Sequence, residues 1–183
     1  NNNAVTGVNS GWALINGNGS TITVNQYGQG NIAGINMNAW GNNVTLNQGT
    51  ANNIANNNIL MLTSNGNGNS ITMNQYSNNN NASVNLTYDI NTVNVSQQSG
   101  TGNRSSITVN GNWNTVSNTQ SGSNNFSLTN ISGDHNTSSI IQTGNSHSTL
   151  LNLINAGGAN NVSVTQTGTG DTYSLQQTCT NPS

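Results

Sequence analysis

Three aspartates, two histidines and one cysteine are the carboxylates, imidazoles and thiol of this 183-residue sequence. Asp134-His135 is the one acid–imidazole neighbour pair, and Asp89 and Asp171 stand far from it in the chain. A hydrolytic triad needs a pocket and an oriented base, and no EF-hand or nonapeptide calcium pattern surrounds the aspartates. Both histidines read as solvated turn residues. No enzymatic role, metal or cofactor is expected. The side chains whose spacing carries chemistry are instead uncharged amides. Of 11 glutamines, seven fall at one position of a repeated pattern: Gln26, Gln48, Gln75, Gln97, Gln120, Gln142 and Gln166, spaced 22, 27, 22, 23, 22 and 24 residues apart. A primary amide both donates and accepts, so amides stacked in register form a hydrogen-bonded ladder.

The segments that must position these amides share one design. A small polar residue stands six positions before the glutamine, with apolar residues usually at two and four. They are Ser20-Ile22-Val24-Gln26, Asn42-Val44-Leu46-Gln48, Asn69-Ile71-Met73-Gln75, Asn91-Val93-Val95-Gln97, Asn114-Val116-Asn118-Gln120, Asn136-Ser138-Ile140-Gln142 and Asn160-Val162-Val164-Gln166. Residues of equal parity share one face of a β-strand, and the Thr, Asn and Ser between them suit the solvated face. Thr23, Thr45, Thr72, Asn94, Ser117, Ser139 and Ser163 would form one outward column. A turn follows each glutamine, commonly with glycine. Asn or Asp comes about five residues on, at Asn31, Asn53, Asn80 and Asp171, with slips at Asn103, Asn124 and Asn145. A second alternating segment then begins, as in Ala33-Ile35-Met37, Ala82-Val84-Leu86, Ser105-Ile107-Val109, Phe126-Leu128 and Tyr173-Leu175-Gln177.

Strand, turn, strand, turn at this period predicts an all-β solenoid of about eight stacked arches of roughly 22 residues, cross-β when polymerised. Residues 1–17 read as a degenerate N-terminal repeat containing Val5, Val8, Trp12, Leu14 and Ile15. Residues 18–177 are the regular repeat, and 178–183 a tail. Alternation is weakest around Asn56-Asn57-Asn58 and from Leu150 to Gly158. No linker divides the chain, so one domain is expected.

The composition fits this reading. Charged residues are 2% of the chain against 44 asparagines, with no Lys or Glu. Such polarity without charge would elsewhere signal disorder, but a stacked column of like charges would repel itself. The lone Arg104 argues against nucleic-acid binding, which needs clustered cations. No apolar run approaches the roughly 18 residues of a membrane span, so no membrane insertion is expected.

The pattern Ser-x5-Gln-x4-Asn, intact as Ser20, Gln26 and Asn31 and continuing with Ala33, resembles the curlin repeat of major curli subunits, bacterial proteins that form functional amyloid in biofilm matrices. The resemblance spans about residues 18–177. It implies that Ser20, Asn42, Asn69, Asn91, Asn114, Asn136 and Asn160, the seven glutamines, and Asn31 and Asn80 are inward ladder residues, with Gln177 matching the family's second glutamine. It further implies a secreted subunit that joins head to tail into extracellular fibres, with a nucleating subunit and an outer-membrane secretion channel as partners. Asp171, in the last repeat, is the only charge at an expected ladder position.

Two other classes compete. The outward Thr, Asn and Ser columns could order water in a monomeric ice-binding solenoid, although the drift away from Thr spoils a regular lattice match. Trp12, Trp40 and Trp113, with Tyr27 and Tyr76, could be glycan platforms of an adhesin, although turn packing and contacts between fibres are the expected roles. The odd Cys179 could cross-link copies, but a free thiol is the plainer reading.

Overall fold

The computed structural model describes residues 11–155 and 159–179. The readings of Val5 and Val8, and of the segment after Asn155, lie outside them, as does the Cys179 side chain. Fifteen strands follow in chain order: β1 (Gly11–Asn16), β2 (Thr21–Gln26), β3 (Ile32–Asn38), β4 (Asn43–Gln48), β5 (Ile59–Ser64), β6 (Ser70–Gln75), β7 (Asn81–Leu86), β8 (Thr92–Ser99), β9 (Arg104–Asn110), β10 (Thr115–Ser121), β11 (Phe126–Ser132), β12 (Thr137–Asn145), β13 (Ser148–Asn155), β14 (Asn161–Thr169) and β15 (Thr172–Cys179). Even-numbered strands form a seven-stranded sheet and odd-numbered strands an eight-stranded one, each in sequential order. Every pairing between strands is parallel. Each coil therefore contributes a first arm to one sheet and a second arm to the other, giving a β-solenoid.

Seven full coils result, with β1 as an extra second arm beside β3. Of the expected eighth coil, that arm is the part within the described residues. Its inward positions Gly11 and Ala13 carry little side chain, and Trp12 and Leu14 on its other face are more than half exposed. β15 runs to Cys179, two residues past the expected end of the repeat.

The core is the thin layer between the sheets. Alternation puts Ile22, Val24, Leu46, Ile71 and Met73 against Ile35, Met37, Leu60, Leu62 and Val84, all within 2% of complete burial. The two irregular stretches continue the stack. After the longer turn of the second coil, β5 inserts Leu60 and Leu62, and β13 inserts Leu151 and Leu153, all buried.

Coil five departs from expectation. Phe126 and Leu128 do not face inward: the register Phe126↔Arg104 turns Ser127, Thr129 and Ile131 into the core and leaves Phe126 on the outer face, 38% exposed. Parity is set by Asn125, whose backbone N–H is held by Asn103 Oδ1 at 3.1 Å, and a slip of one residue would lose that bond to gain one aromatic. The consequence is a polar band across the core. Asn118 donates to Ser105 Oγ at 2.6 Å, whereas Asn118 Oδ1, Ser127 Oγ, Thr129 Oγ1 and Ser138 Oγ are buried without a hydrogen-bond partner.

The two turn edges solve one backbone problem differently. At the edge after each first arm, the left-handed residue is Gly30, Asn57, Asn79, Gly102, Asn124, Ser146 or Gly170, and all but Ser146 are Gly or Asn, the types that best tolerate positive φ. At the other edge the first three coils use Gly19, Gly41 and Gly68, but coils four to six use Ile90 (φ 57°), Trp113 (φ 54°) and His135 (φ 59°). The left-handed region costs a residue with Cβ about 1–2 kcal/mol. The backbone cannot avoid it, because each of these N–H groups donates to a carbonyl of the coil before: Ile90 to Asn67, Trp113 to Asp89 and His135 to Asn112.

Thr129 stands in the column of Ile35, Leu62, Val84, Ile107 and Leu151. Thr129→Val keeps its shape and removes the unsatisfied hydroxyl. Chemical unfolding of the monomer should show a gain of roughly 1–3 kcal/mol, and a loss would contradict this account of the polar band.

Candidate self-assembly site

Three inward polar columns, mostly of amides, run through the seven coils. In the first, each glutamine donates from Nε2 to Oε1 of the next coil's glutamine: Gln26 to Gln48 at 2.7 Å, Gln48 to Gln75 at 3.1 Å, Gln75 to Gln97 at 2.9 Å, Gln97 to Gln120 at 2.8 Å, Gln120 to Gln142 at 2.9 Å and Gln142 to Gln166 at 2.9 Å. The same Nε2 also crosses the core. From Gln48 onward it reaches the backbone carbonyl of Ile32, Ile59, Asn81, Arg104, Phe126 or Ser148, at 2.9–3.1 Å. One amide thus ties three arms together, and its two N–H groups are both used. At the last rung Nε2 of Gln166 turns to the carbonyl of Asp171 at 2.8 Å.

The second column is Ser20, Asn42, Asn69, Asn91, Asn114, Asn136 and Asn160. Here the backbone N–H of each residue donates to the side-chain oxygen of its predecessor, from Asn42 N to Ser20 Oγ at 3.2 Å through Asn160 N to Asn136 Oδ1 at 3.2 Å. These bonds point opposite to those of the glutamines. All seven residues are at most 8% exposed.

The third column begins as expected at Asn31 but then follows Asn58, Asn80, Asn103, Asn125, His147 and Asp171, again by backbone N–H to the preceding side chain at 2.8–3.3 Å. Three sequence expectations are corrected here. Asn53 is exposed in the long turn, where it pairs with Thr50, and Asn58 is the rung. Asn124 takes the left-handed turn position, leaving the rung to Asn125. Asn145 accepts from Ser123 N at the surface, and the rung is His147. His147 is not a solvated turn residue: it is 1% exposed, its Nδ1 accepts from Asp171 N at 3.3 Å and its Nε2 lies 3.1 Å from Thr143 O. That geometry corresponds to an imidazole protonated at Nε2, with Nδ1 standing in for an amide oxygen. Counting 22 residues from rung to rung would have found Asn125 and His147, but the long second turn makes the step from Asn31 to Asn58 27 residues and hides that rung.

Gln177 does not join the glutamine column. It lies on the second arm in the column of Leu153, and its Nε2 crosses to Asn160 Oδ1 at 2.7 Å. Asp171 occupies the last rung of the third column with its side chain half exposed, 3.4 Å from His147 Nδ1. His135 and Asp134 are surface groups. The His135 ring stacks on Trp113 with centroids 4.9 Å apart, and Asp134 Oδ1 accepts from Asn112 N at 2.6 Å. The outward column from Thr23 to Ser163 lies in register through all seven coils.

Among the described residues, the most exposed inward positions of the last coil are on its second arm. Thr149, Leu151 and Leu153 of β13 are fully buried, but their successors on β15 have no coil beyond them among the described residues: Tyr173 is 36% exposed, with Leu175 and Gln177 half-buried. Comparison with family models, with curated proteins and with solved structures finds no match.

Two predictions follow from the bonding pattern. Gln97→Ala leaves the amides of Gln75 and Gln120 without their shared rung and should cost the monomer roughly 1–3 kcal/mol, while Ser117→Ala on the outer face stays within about 0.5 kcal/mol; equal effects in urea titration would refute the ladder's role. His147→Asn restores the column's usual rung and should leave the unfolding midpoint nearly unchanged. His147→Leu, which strands Asp171 N–H, should lower it by the equivalent of about 1–3 kcal/mol.

Proposed function

We propose that this chain is a structural subunit that adds head to tail into an extracellular amyloid-like fibre. The observation that carries the reading is the uninterrupted set of in-register amide ladders, with a core face partly open at β15 among the described residues. The ends are chemically alike. The first arm of the last coil, with Asn160, Val162, Val164 and Gln166, repeats the pattern of the first, with Ser20, Ile22, Val24 and Gln26, and all eight are buried within the subunit. A copy stacked on the last coil meets β15 with the small and apolar inward residues of β1, Gly11, Ala13 and Ile15. Where β1 of an incoming copy meets β15, the half-buried Leu175 gains Ala13 as an apolar neighbour.

A heterologous contact of this kind does not close on itself, so addition continues into a filament. Each junction resembles a step inside the subunit, with hydrogen bonds worth roughly 0.5–1.5 kcal/mol net apiece. The curlin-like repeat supports extending the reading to a secreted subunit of a cell-surface matrix, working with a nucleating subunit and an outer-membrane secretion channel.

Purified chain held at micromolar concentration should form fibres with a meridional reflection near 4.8 Å; a chain that stays monomeric at every concentration overturns the proposal. Leu175→Lys puts a charge into the open face of the last coil and should slow elongation by at least about tenfold while shifting monomer stability by less than about 1 kcal/mol.

A further inference from the structure

The turn edge after each second arm carries a feature that neither folding nor stacking explains. Ile90, Trp113 and His135 occupy successive coils of one column, each in the left-handed region and each where earlier coils place Gly19, Gly41 or Gly68. A glycine there would relieve the strain. The side chains recover little by packing within the subunit: Ile90 is 51% exposed and Trp113 52%, and their clearest contact is the Trp113–His135 stack. The result is a solvent-facing strip one side chain wide and three coils long, parallel to the solenoid axis.

The strip is bordered by most of the chain's negative charge. The residue before each of its members is Asp89, Asn112 or Asp134, where the first coils place Asn18, Trp40 and Asn67. Asp134 Oδ1 reaches back to Asn112 N at 2.6 Å, so its carboxylate stands beside the backbone that carries Trp113. Asp89 Oδ1 reaches Asn67 N at 2.7 Å. The two carboxylates lie two coils apart, about 10 Å at strand spacing. The chain's one arginine, Arg104, opens β9 at the opposite turn edge. An aromatic face between two carboxylates is complementary to a cation with a flat apolar body.

We propose that this strip binds a linear polysaccharide of amino sugars whose amino groups are free and protonated. Pyranose rings lie along Ile90, Trp113 and His135, and ammonium groups meet Asp89, Asp134 and the face of Trp113. A basic peptide suits the edge less well. The backbone N–H groups it would need are already donated, those of Ile90, Trp113 and His135 to the preceding coil, and those of Asn67, Asp89 and Asn112 to side chains of the next. The inference stands apart from fibre formation, since a single chain presents the whole strip.

The fold supplies its own controls, because every substitution can install a residue that the same column already uses. Glucosamine hexamer, N-acetylglucosamine hexamer and hexalysine are titrated calorimetrically into freshly desalted monomer. The glucosamine hexamer should bind, with the other two at least about tenfold weaker, and added salt should weaken it. Trp113→Gly should raise Tm by relieving strain yet weaken binding about tenfold or more; Asp89→Asn with Asp134→Asn should do the same to binding at unchanged Tm. Absence of binding by the wild-type chain, full binding by Trp113→Gly, or equal binding of the acetylated hexamer or of hexalysine would each overturn the proposal.

Discussion

Every residue of the regular coils has a counterpart of its own position roughly 4.8 Å above and below it, and the rest of the structure depends on this self-neighbouring. A column is stable only if its residue tolerates a copy of itself on both sides. Apolar side chains pass the test by packing, as Val24, Leu46, Met73 and Val95 do. Amides pass it because one end donates and the other accepts. Carboxylates and ammonium groups fail it, because like charges at that distance repel and must be desolvated together. A charge content of 2% is the composition this constraint leaves. The described charges stand where stacking is relaxed: Asp89 and Asp134 at a turn edge, Arg104 on the outer face, and Asp171 at the half-open final rung.

Within that constraint the choice among polar residues is a matter of reach. Asn and Gln place their oxygen far enough from the backbone to meet the next or preceding coil, and the three columns bond at 2.7–3.3 Å. A hydroxyl reaches less far and bonds only where a donor or acceptor stands close, as at Ser20 and Thr149. Ser127, Thr129 and Ser138 hold buried oxygens with no partner. His147 succeeds where those fail, because Nδ1 of an imidazole lies about as far from its backbone as an amide oxygen does, and Asp171 N–H finds it.

The sequence revealed the parts that repeat by side-chain type and hid those that repeat by position. Seven glutamines at near-constant spacing located every first arm, and the parity of Ile22, Val44 or Val162 oriented each one correctly. The errors arose where hydrophobicity was followed in preference to column position. Phe126 and Leu128 looked like an inward pair, but the rung at Asn125 fixed the opposite parity. Asn124 looked like a rung because it is Asn, and His147 did not because it is His. Hydrogen-bond geometry outranked residue class in each case, since moving one rung by a residue would misplace a whole arm.

The same ranking separates the edges from the arms. Arm residues are specified by their neighbours in the stack, so even their irregularities, such as the long second turn, are absorbed outside the ladders. A left-handed turn residue is specified by the backbone alone, and glycine meets that demand at lowest energy. Gly19, Gly41 and Gly68 are therefore what the fold asks for, whereas Ile90, Trp113 and His135 are extra to it. Their strain is borne by the hydrogen bonds of the coils around them, because N–H donation to the preceding carbonyl holds the turn in place whatever side chain it carries. A rigid, self-stacking scaffold can thus hold bulky groups in strained backbone at defined intervals along its edge. In a solenoid that capacity exists only at the turns, where a side chain is free of its own copy.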